Sequence, residues 1–267
     1  MTAYTDLIAA VAATETGYSA FVTDDWKQGR TTYGGLSAAL CVEAALKTFP
    51  EAPPLRSAQF SFVGPAAGEL AISVKPLRQG KSTLFVAVDL AGEQGVATHG
   101  VLTFGAPRAS ALSYSEVPFP AVAQPEDCEL FFPENRQGAP HFSAQFEVRK
   151  AGGTRPLAGG KPEYLLWIRH RDPAANSLSA LIALADMPPP PAMALFTQFA
   201  PISTMTWALD VVGLPNQGEN GEADDGWRLL RTTAETVGEG YSTQEMMLWD
   251  RHGRPLVLAR QNVAVFA

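Results

Sequence analysis

Asp186 is the residue whose type and setting most favour chemistry. It follows a short apolar segment, Leu178–Ala185, in which apolar side chains recur at the i, i+3, i+4, i+7 spacing of a buried helical face. Pro188 disfavours helical geometry at the residue before it, so the helix should end at about Asp186. Between Asp172 and Asp210 no other side chain ionises. A single carboxylate at the end of an apolar helix is therefore the first candidate functional group.

The setting of Asp186 predicts a carboxylate that holds its proton tightly. The negative end of the helix dipole and the apolar neighbours both disfavour the ionised form. A carboxylate whose ionised form is destabilised in this way is a stronger base. Enzymes commonly place a general base in such an environment. The alternative is that Asp186 only accepts hydrogen bonds in the loop that follows the helix.

Composition and charge exclude several kinds of partner. The chain has 267 residues, 46% hydrophobic and 18% charged, with a net charge of −7 and a pI near 5.1. It has no Lys/Arg-rich tract, which argues against nucleic acid as a main partner, and no apolar run of membrane-spanning length. The apolar segment Leu7–Ala13 lacks a basic flank and is a poor signal peptide. Cys41 and Cys128 are not spaced as a metal or redox pair, so we expect no metal site and a reducing cytoplasm.

The first half of the chain predicts one long buried helix and then antiparallel strands. The segment Tyr33-Gly34-Gly35 opens a helix, Leu36–Phe49, that ends at Pro50. Its only charges, Glu43 and Lys47, form an i,i+4 pair expected on one solvent-facing strip. Apolar alternation and turn clusters predict the strands, at Ser57–Val63, Leu70–Lys75, Ser82–Leu90 and Val96–Phe104.

The same order of elements recurs in the second half, around the helix Ser177–Asp186. The remaining predicted elements are the strands Phe142–Lys150, Tyr164–His170, Ile202–Val211, Trp227–Val237, Tyr241–Asp250 and Leu256–Phe266, with an acidic, Gly-rich loop at Asn216–Gly226. We interpret the recurrence as a tandem duplication of one helix-in-sheet unit. The predicted domains are an N-terminal unit at 1–107, a surface connector at 108–140 and a C-terminal unit at 141–267.

Histidines add little to the predicted site. Counting back five residues from Phe104 and from Phe266 pairs His99 with Gln261, which makes His99 the relic of a second site. His170 and His252 lie in a charged segment and a hairpin turn, where we expect both to be solvated. No G-x-S-x-G elbow is present, so serine-based nucleophilic catalysis has no support.

Several segments resemble the double-hotdog acyl-CoA thioesterases of the acyl-CoA thioesterase II type. The resemblance covers nearly the whole chain outside the connector and rests on the order and spacing of Tyr33-Gly34-Gly35, Ser57 to Pro65, Tyr164 to Arg169, Leu184-Ala185-Asp186, Ser203-Thr204-Met205 and Ala259-Arg260-Gln261. It implies an α+β double hotdog, in which two tandem antiparallel sheets each wrap a long helix. It also implies hydrolysis of a fatty acyl-CoA to the free acid and coenzyme A in lipid metabolism, with no cofactor beyond the coenzyme A of the substrate.

The resemblance implies that Asp186, Thr204 and Gln261 hold the hydrolytic water. Asp186 would act as the base, Thr204 would donate to it and accept from the water, and Gln261 would fix the water through its amide. Ser203 and Thr206 lie close to Thr204, and a slip of one residue reverses the facing of a strand side chain. Direct attack by the carboxylate, giving an anhydride, stays open at this point.

Backbone N–H groups of Gly34 and Gly35, at a helix N-terminus, would stabilise the oxyanion of the intermediate. The phosphates of coenzyme A would need basic side chains near the tunnel mouth, for which the candidates are Arg56, Arg78, Lys81, Arg149, Lys150 and Arg169.

Each assignment has a structural alternative. Gly34 and Gly35 could form only a tight turn, Thr204 could be an ordinary strand residue, and Gln261 could be solvated or paired across strands. For the whole protein, the alternatives are a non-catalytic acyl-CoA or lipid-binding hotdog protein and an enoyl-CoA hydratase. The hydratase ranks low because no His lies near Asp186 and no acidic residue lies close to His99 in the sequence. Unpaired edge strands leave assembly into a homo-oligomer open.

Overall fold

One continuous antiparallel sheet organises the protein. The computed structural model describes residues 1–133, 138–214 and 224–267, so most of the acidic loop predicted at Asn216–Gly226 lies outside the described residues. The strands are β1 (Ala12–Thr14), β2 (Gly17–Val22), β3 (Lys27–Gln28), β4 (Thr31–Thr32), β5 (Leu55–Phe62), β6 (Gly68–Gln79), β7 (Thr83–Gly92), β8 (Gly95–Gly105), β9 (Glu129–Leu130), β10 (Phe146–Gly153), β11 (Glu163–His170), β12 (Ile202–Val211), β13 (Arg228–Gly238), β14 (Tyr241–Asp250) and β15 (Pro255–Val265).

Thirteen of these strands form the main sheet, in the order β1-β2-β6-β7-β8-β5-β12-β15-β14-β13-β11-β10-β9, while β3 and β4 pair separately. The central pair, β5 and β12, comes from the two halves of the chain and joins them into one surface. The order β6-β7-β8-β5 is mirrored by β13-β14-β15-β12, so the predicted repeat of two antiparallel units is confirmed.

Three α-helices are described, α1 (Tyr4–Ala9), α2 (Gly34–Thr48) and α3 (Leu178–Ala185). The long helix α2 packs on β6, β7 and β8, whereas α3 packs on β11, and the two helices contact each other. The side chain of Ser177 caps α3 by accepting from the N–H of Ala180. None of these described helices combines the length and the apolar character of a membrane span.

The second helix is much shorter than the first, with 8 residues against 15. The prolines from Pro188 to Pro191 prevent its continuation, since they lack the N–H that a helix needs. A short 3-10 helix, Pro191–Leu195, follows and packs over β11 and β13.

Part of the predicted connector packs on the sheet. Val117, Phe119 and Val122 pack on the outer face of the second half of the sheet, against a cluster built around Trp167 and Trp249. The predicted domain bounds at 107 and 140 stay a prediction.

Two local predictions differ from the structure. The segment at Phe142 is a 3-10 helix (His141–Gln145) that precedes β10, so that strand starts four residues later than predicted. The predicted solvent strip of α2 holds only for Lys47, which is exposed, whereas Glu43 is partly buried and accepts a hydrogen bond from Ser179 of α3 at 2.9 Å. Helices packed against each other bury part of what an isolated helix would expose.

His170 is buried rather than solvated. It packs between Tyr4 and Phe146, with ring centroids 5.0 and 4.8 Å away, and its Nε2 lies 2.8 Å from the carbonyl oxygen of Ala180. Burial lowers the pKa of His170 to about 4, so the ring is neutral and structural.

Candidate active site

Asp186 lies where the end of α3 meets the start of α2. It is the C-cap residue of α3, and a Cβ built on Gly34 would lie 2.9 Å from its Oδ2. The contact between Ser179 and Glu43, near the start of α3 and well along α2, shows that the two helices run antiparallel. The carboxylate therefore comes from the second repeat, and the helix N-terminus that faces it comes from the first.

Two buried amides hold the carboxylate in place. Nε2 of Gln261 donates to Oδ1 of Asp186 at 2.5 Å. Oε1 of Gln261 in turn accepts from Nε2 of Gln244 on the adjacent strand at 2.8 Å. Because Gln244 donates to that oxygen, the Gln261 amide is oriented with its N–H toward Asp186. The sequence resemblance pointed to Gln261, but Gln244 was missed, and only the β14–β15 register reveals it.

The pKa of Asp186 is raised from 3.8 to about 7. The cause is burial, which penalises the charged form, while hydrogen bonds from Gln261 and from the N–H of Gly35 oppose the rise. The residue nevertheless keeps intermediate accessibility, so water can reach it. These properties match a general base that works near neutral pH.

A bulge in β12 decides which hydroxyl faces this site. Thr206 pairs with Asn262 and Thr204 pairs with Val263, so the register shifts at the residue between them. Residues directly opposite each other in an antiparallel pair project to the same side. Thr204 therefore projects to the same face as Val263 and Gln261, whereas Thr206 projects to the other. Within the described residues Thr204 forms no hydrogen bond to Asp186 or Gln261, so the expected donation to the carboxylate is not made.

The two glycines at the start of α2 lie close to Asp186 and to the backbone of α3, and their role as oxyanion donors stays a prediction. The N–H of Gly35, expected to serve an oxyanion, also acts on Asp186 and lowers the pKa of its carboxyl. A Cβ on Gly35 would lie 2.7 Å from the carbonyl oxygen of Ala183 and 2.5 Å from Oη of Tyr33. That hydroxyl donates to the same carbonyl at 2.7 Å, a link between the two halves that the sequence did not indicate. Burial and the nearby Asp186 raise the pKa of Tyr33, which keeps the hydroxyl protonated as a donor.

Gly35→Ala should destabilise the protein, and Gly34→Ala should mainly disturb the site. The first substitution places a methyl group against a backbone carbonyl, which costs about 1–3 kcal/mol, while the second presses on a carboxylate that can shift. The free energy of unfolding in urea measures the difference. Gly238→Ala is the matched control, because a Cβ there meets nothing within 4 Å. Equal losses in all three variants would contradict the proposed packing.

His99 does not match Gln261. It pairs across the sheet with Asp89 and Ser61, and its Nδ1 lies 2.6 Å from Oδ1 of Asp89 on the partly exposed outer face. The residue that corresponds to Gln261 is Gly100, since each lies opposite an aromatic residue of the central strand pair, Trp207 or Phe60. The prediction of a relic site at His99 is therefore wrong.

Other candidate groups lie elsewhere. A surface groove of about 460 Å³ lies at the far end of α2, from Thr48 to Pro53, beside the β6–β7 turn, and Asp186 is at the other end of this helix. Arg149 and Arg169, two of the basic candidates, both pair with Glu147. The described part of the chain holds no group of three or more His, Cys, Asp or Glu side chains placed to bind a metal.

A continuous sheet built from two tandem repeats and packed on antiparallel helices, with a partly buried carboxylate held by an amide at the seam between the repeats, defines a double-hotdog protein. The model of the acyl-CoA thioesterase N-terminal domain matches residues 22–105, and that of the acyl-CoA thioesterase C-terminal domain matches residues 125–265. The chain belongs to the acyl-CoA thioesterase family, as its sequence predicts.

Several proteins are similar to this chain in sequence or in structure. An uncharacterized protein of Mycobacterium tuberculosis is 27% identical over 90% of this chain and 88% of that protein. A hot dog fold protein of unknown function from Alicyclobacillus acidocaldarius has a TM-score of 0.87 at 22% identity, covering 100% of this chain and 99% of that one. The acyl-CoA thioesterase II TesB2 of Mycobacterium marinum has a TM-score of 0.76 at 17% identity over 98% of both chains. At these identities the structures show the shared fold.

Proposed function

We propose that this protein hydrolyses the thioester of an acyl-CoA, using a water molecule activated by Asp186. The observation that carries the proposal is the chain of hydrogen bonds from Gln244 through Gln261 to a partly buried carboxylate of raised pKa. A core built only for stability gains little from an ionisable group in this position, because burying it is costly. A base that must take a proton near neutral pH benefits from the same environment.

The proposed reaction begins with ionised Asp186, which takes a proton from water as the water oxygen bonds to the thioester carbonyl carbon. Nε2 of Gln261 has a second hydrogen that can hold this water, and the hydroxyl of Thr204 is a further candidate on the same face. The carbon–sulfur bond then breaks, and the proton on Asp186 returns to the leaving thiolate. The products are the free acid and coenzyme A, and Asp186 is ionised again.

The developing oxyanion would be stabilised at the start of α2. Because the N–H of Gly35 faces Asp186, the N–H of Gly34 is the remaining glycine donor in that first turn. Placed at the positive end of a 15-residue helix, it suits an anionic intermediate.

Release of free thiol from a panel of acyl-CoAs of different chain length tests the proposal. A thioesterase releases thiol from at least one of them in proportion to protein concentration. A non-catalytic binding protein would bind acyl-CoA and release none, and that outcome would overturn the proposal.

The pH profile of kcat/KM should rise with an inflection near pH 7. Below that pH Asp186 is protonated and cannot accept a proton, so the rate should fall about tenfold for each pH unit. Above it the carboxylate is ionised and the profile should become flat. Measurement from pH 5 to pH 9 locates the inflection, and an inflection near pH 4 would point to an ordinary exposed carboxylate instead.

Gln244→Leu should move that inflection to higher pH and lower the plateau rate. Without Gln244 the Gln261 amide is free to rotate and present its oxygen to Asp186, which favours the protonated acid. Gln59→Leu is the matched control, because Gln59 is an exposed strand glutamine. A loss of rate with an unmoved inflection would mean that Gln244 acts on folding rather than on Asp186.

A further inference from the structure

Polar groups without partners line the inner face of the sheet beside the proposed site. Oε1 of Gln244, Oγ1 of Thr232 and Oη of Tyr164 are buried and have no hydrogen-bond partner within the described residues. Each of these residues is at most 1% exposed. Leaving such a group unsatisfied costs about 1–3 kcal/mol, so something else should satisfy these atoms when the protein works.

The three groups are neighbours along a diagonal that we call the polar stripe. Tyr164 lies directly opposite Thr232 across β11 and β13, and Thr232 lies opposite Met246. Met246 is two residues from Gln244 on the same face of β14, and Gln244 lies opposite Gln261. With strands about 4.8 Å apart and a rise of about 3.3 Å per residue, Thr232 is roughly 12 Å from Gln261. The stripe therefore leads away from the reaction centre into the second half of the protein.

A fixed cover lies over the far end of the stripe. The 3-10 helix Pro191–Leu195 packs on β11 and β13, the strands that carry Tyr164 and Thr232. It is held there by two backbone hydrogen bonds, from Leu157 to Met193 at 2.9 Å and from Gly159 to Ala194 at 2.8 Å. It begins shortly after Asp186, so one segment of chain supplies the proposed base and then covers the stripe.

The polar stripe carries no unpaired charge from β13. Arg228 is the cation on the same side of β13, and it is paired with Asp224 through both of its terminal nitrogens. An anionic group on a ligand would find no free cation from this strand. The two hydroxyls can donate or accept, whereas Oε1 of Gln244 only accepts, so a group that both donates and accepts fits best.

We propose that the polar stripe binds a hydroxyl group carried on the distal part of the acyl chain. The preferred substrates are then hydroxyacyl-CoAs whose oxygen lies far from the thioester, rather than unsubstituted or 3-hydroxy acyl-CoAs. This inference rests on the proposed thioesterase function, and it adds a class of substrate to it.

The test compares hydrolysis of ω-hydroxydecanoyl-CoA, decanoyl-CoA and 3-hydroxydecanoyl-CoA by the wild type and by the Thr232→Val/Tyr164→Phe double variant. The wild type should favour the ω-hydroxy substrate by about tenfold in kcat/KM, the effect of one or two hydrogen bonds. The double variant should lose this preference and keep its rate on decanoyl-CoA. Ser242→Ala is the matched control, because its hydroxyl is also buried without a partner but lies on the opposite side of Gln244 from Thr232.

Two outcomes would overturn this inference and leave the proposed thioesterase function untouched. One is hydrolysis of all three substrates at equal rates by the wild type, which would mean that ordered water satisfies the stripe. The other is a preference that survives in the double variant. Absence of thiol release from every acyl-CoA would instead reject the proposed function, and calorimetric titration of the folded protein with ω-hydroxydecanoate and decanoate would still show whether the stripe selects a hydroxyl.

Discussion

Asp186→Asn is expected to lower kcat/KM for acyl-CoA hydrolysis at pH 8 at least about a hundredfold, the scale of a positioned general base. The asparagine is nearly the same size, and its oxygen can still accept from Nε2 of Gln261. What it lacks is the ability to take a proton from water. Thiol release measured over a range of substrate concentrations separates this loss from weaker binding, because KM should change much less than kcat.

Asp210→Asn is the matched control for this experiment. Asp210 lies on β12 and is exposed, so removing its charge changes neither the site nor the fold. Its turnover should equal that of the wild type. If Asp186→Asn turns over substrate as fast as the wild type, Asp186 is not the base, whatever the result for Asp210→Asn.

The sequence was informative where chemistry depends on local context. The end of α3 could be predicted from the prolines after it, and the apolar helix predicted that a carboxylate there would be desolvated. Both effects act within a few residues of Asp186. The structure has this residue as the C-cap of α3, with its pKa raised by burial.

The partners of Asp186 were harder to predict because they depend on strand register. Thr204 faces the site only because β12 contains a bulge next to it, and no sequence signal marks the bulge. Gln244 lies 17 residues from Gln261 and meets it across a ladder. Side chains along a regular strand alternate between the two faces of the sheet, but one extra residue at a bulge reverses that alternation. The sequence pattern alone therefore cannot show which side chains meet across neighbouring strands.

The error at His99 has a related cause. The two halves were aligned on Phe104 and Phe266, but Phe104 is buried whereas Phe266 is exposed. The aligned residues therefore face opposite sides of the sheet. Alignment on the central strand pair, where Phe60 lies opposite Trp207, gives the correct correspondence.

The proposed site needs both repeats. Asp186, Gln261 and Gln244 belong to the second repeat, while Gly34, Gly35 and Tyr33 belong to the first. In the first repeat the position of Gln261 is taken by Gly100 and that of Gln244 by Val88, which lies opposite Gly100. Neither residue can orient a carboxylate. Of these two related positions, only the one in the second repeat carries the polar side chains that form the carboxylate–amide pair.

The same Asp186→Asn substitution should stabilise the protein above pH 7. A carboxyl whose pKa is higher in the folded state than in the unfolded chain makes the native state bind more protons between those two values. The free energy of unfolding then falls as the pH rises through that range. For Asp186 the range runs from 3.8 to about 7. Asparagine does not ionise, so the variant does not lose this part of its free energy of unfolding. The full shift corresponds to about 4 kcal/mol. The residual accessibility of Asp186 and the unmatched N–H of Gly35 reduce the expected gain to on the order of 2–3 kcal/mol at pH 8.

Urea unfolding of wild type and variant at several pH values from 4 to 9 measures this gain. The difference in free energy of unfolding should grow between pH 4 and pH 7 and stay constant above pH 7. Asp210→Asn is the matched control here as well, because it removes the same charge from an exposed position on β12. A difference that does not change with pH would mean that the Asp186 carboxylate is not desolvated, and the physical reason for treating it as a base would be lost. A variant that is more stable and at least a hundredfold slower would show that the protein keeps a destabilising charge for the sake of its reaction.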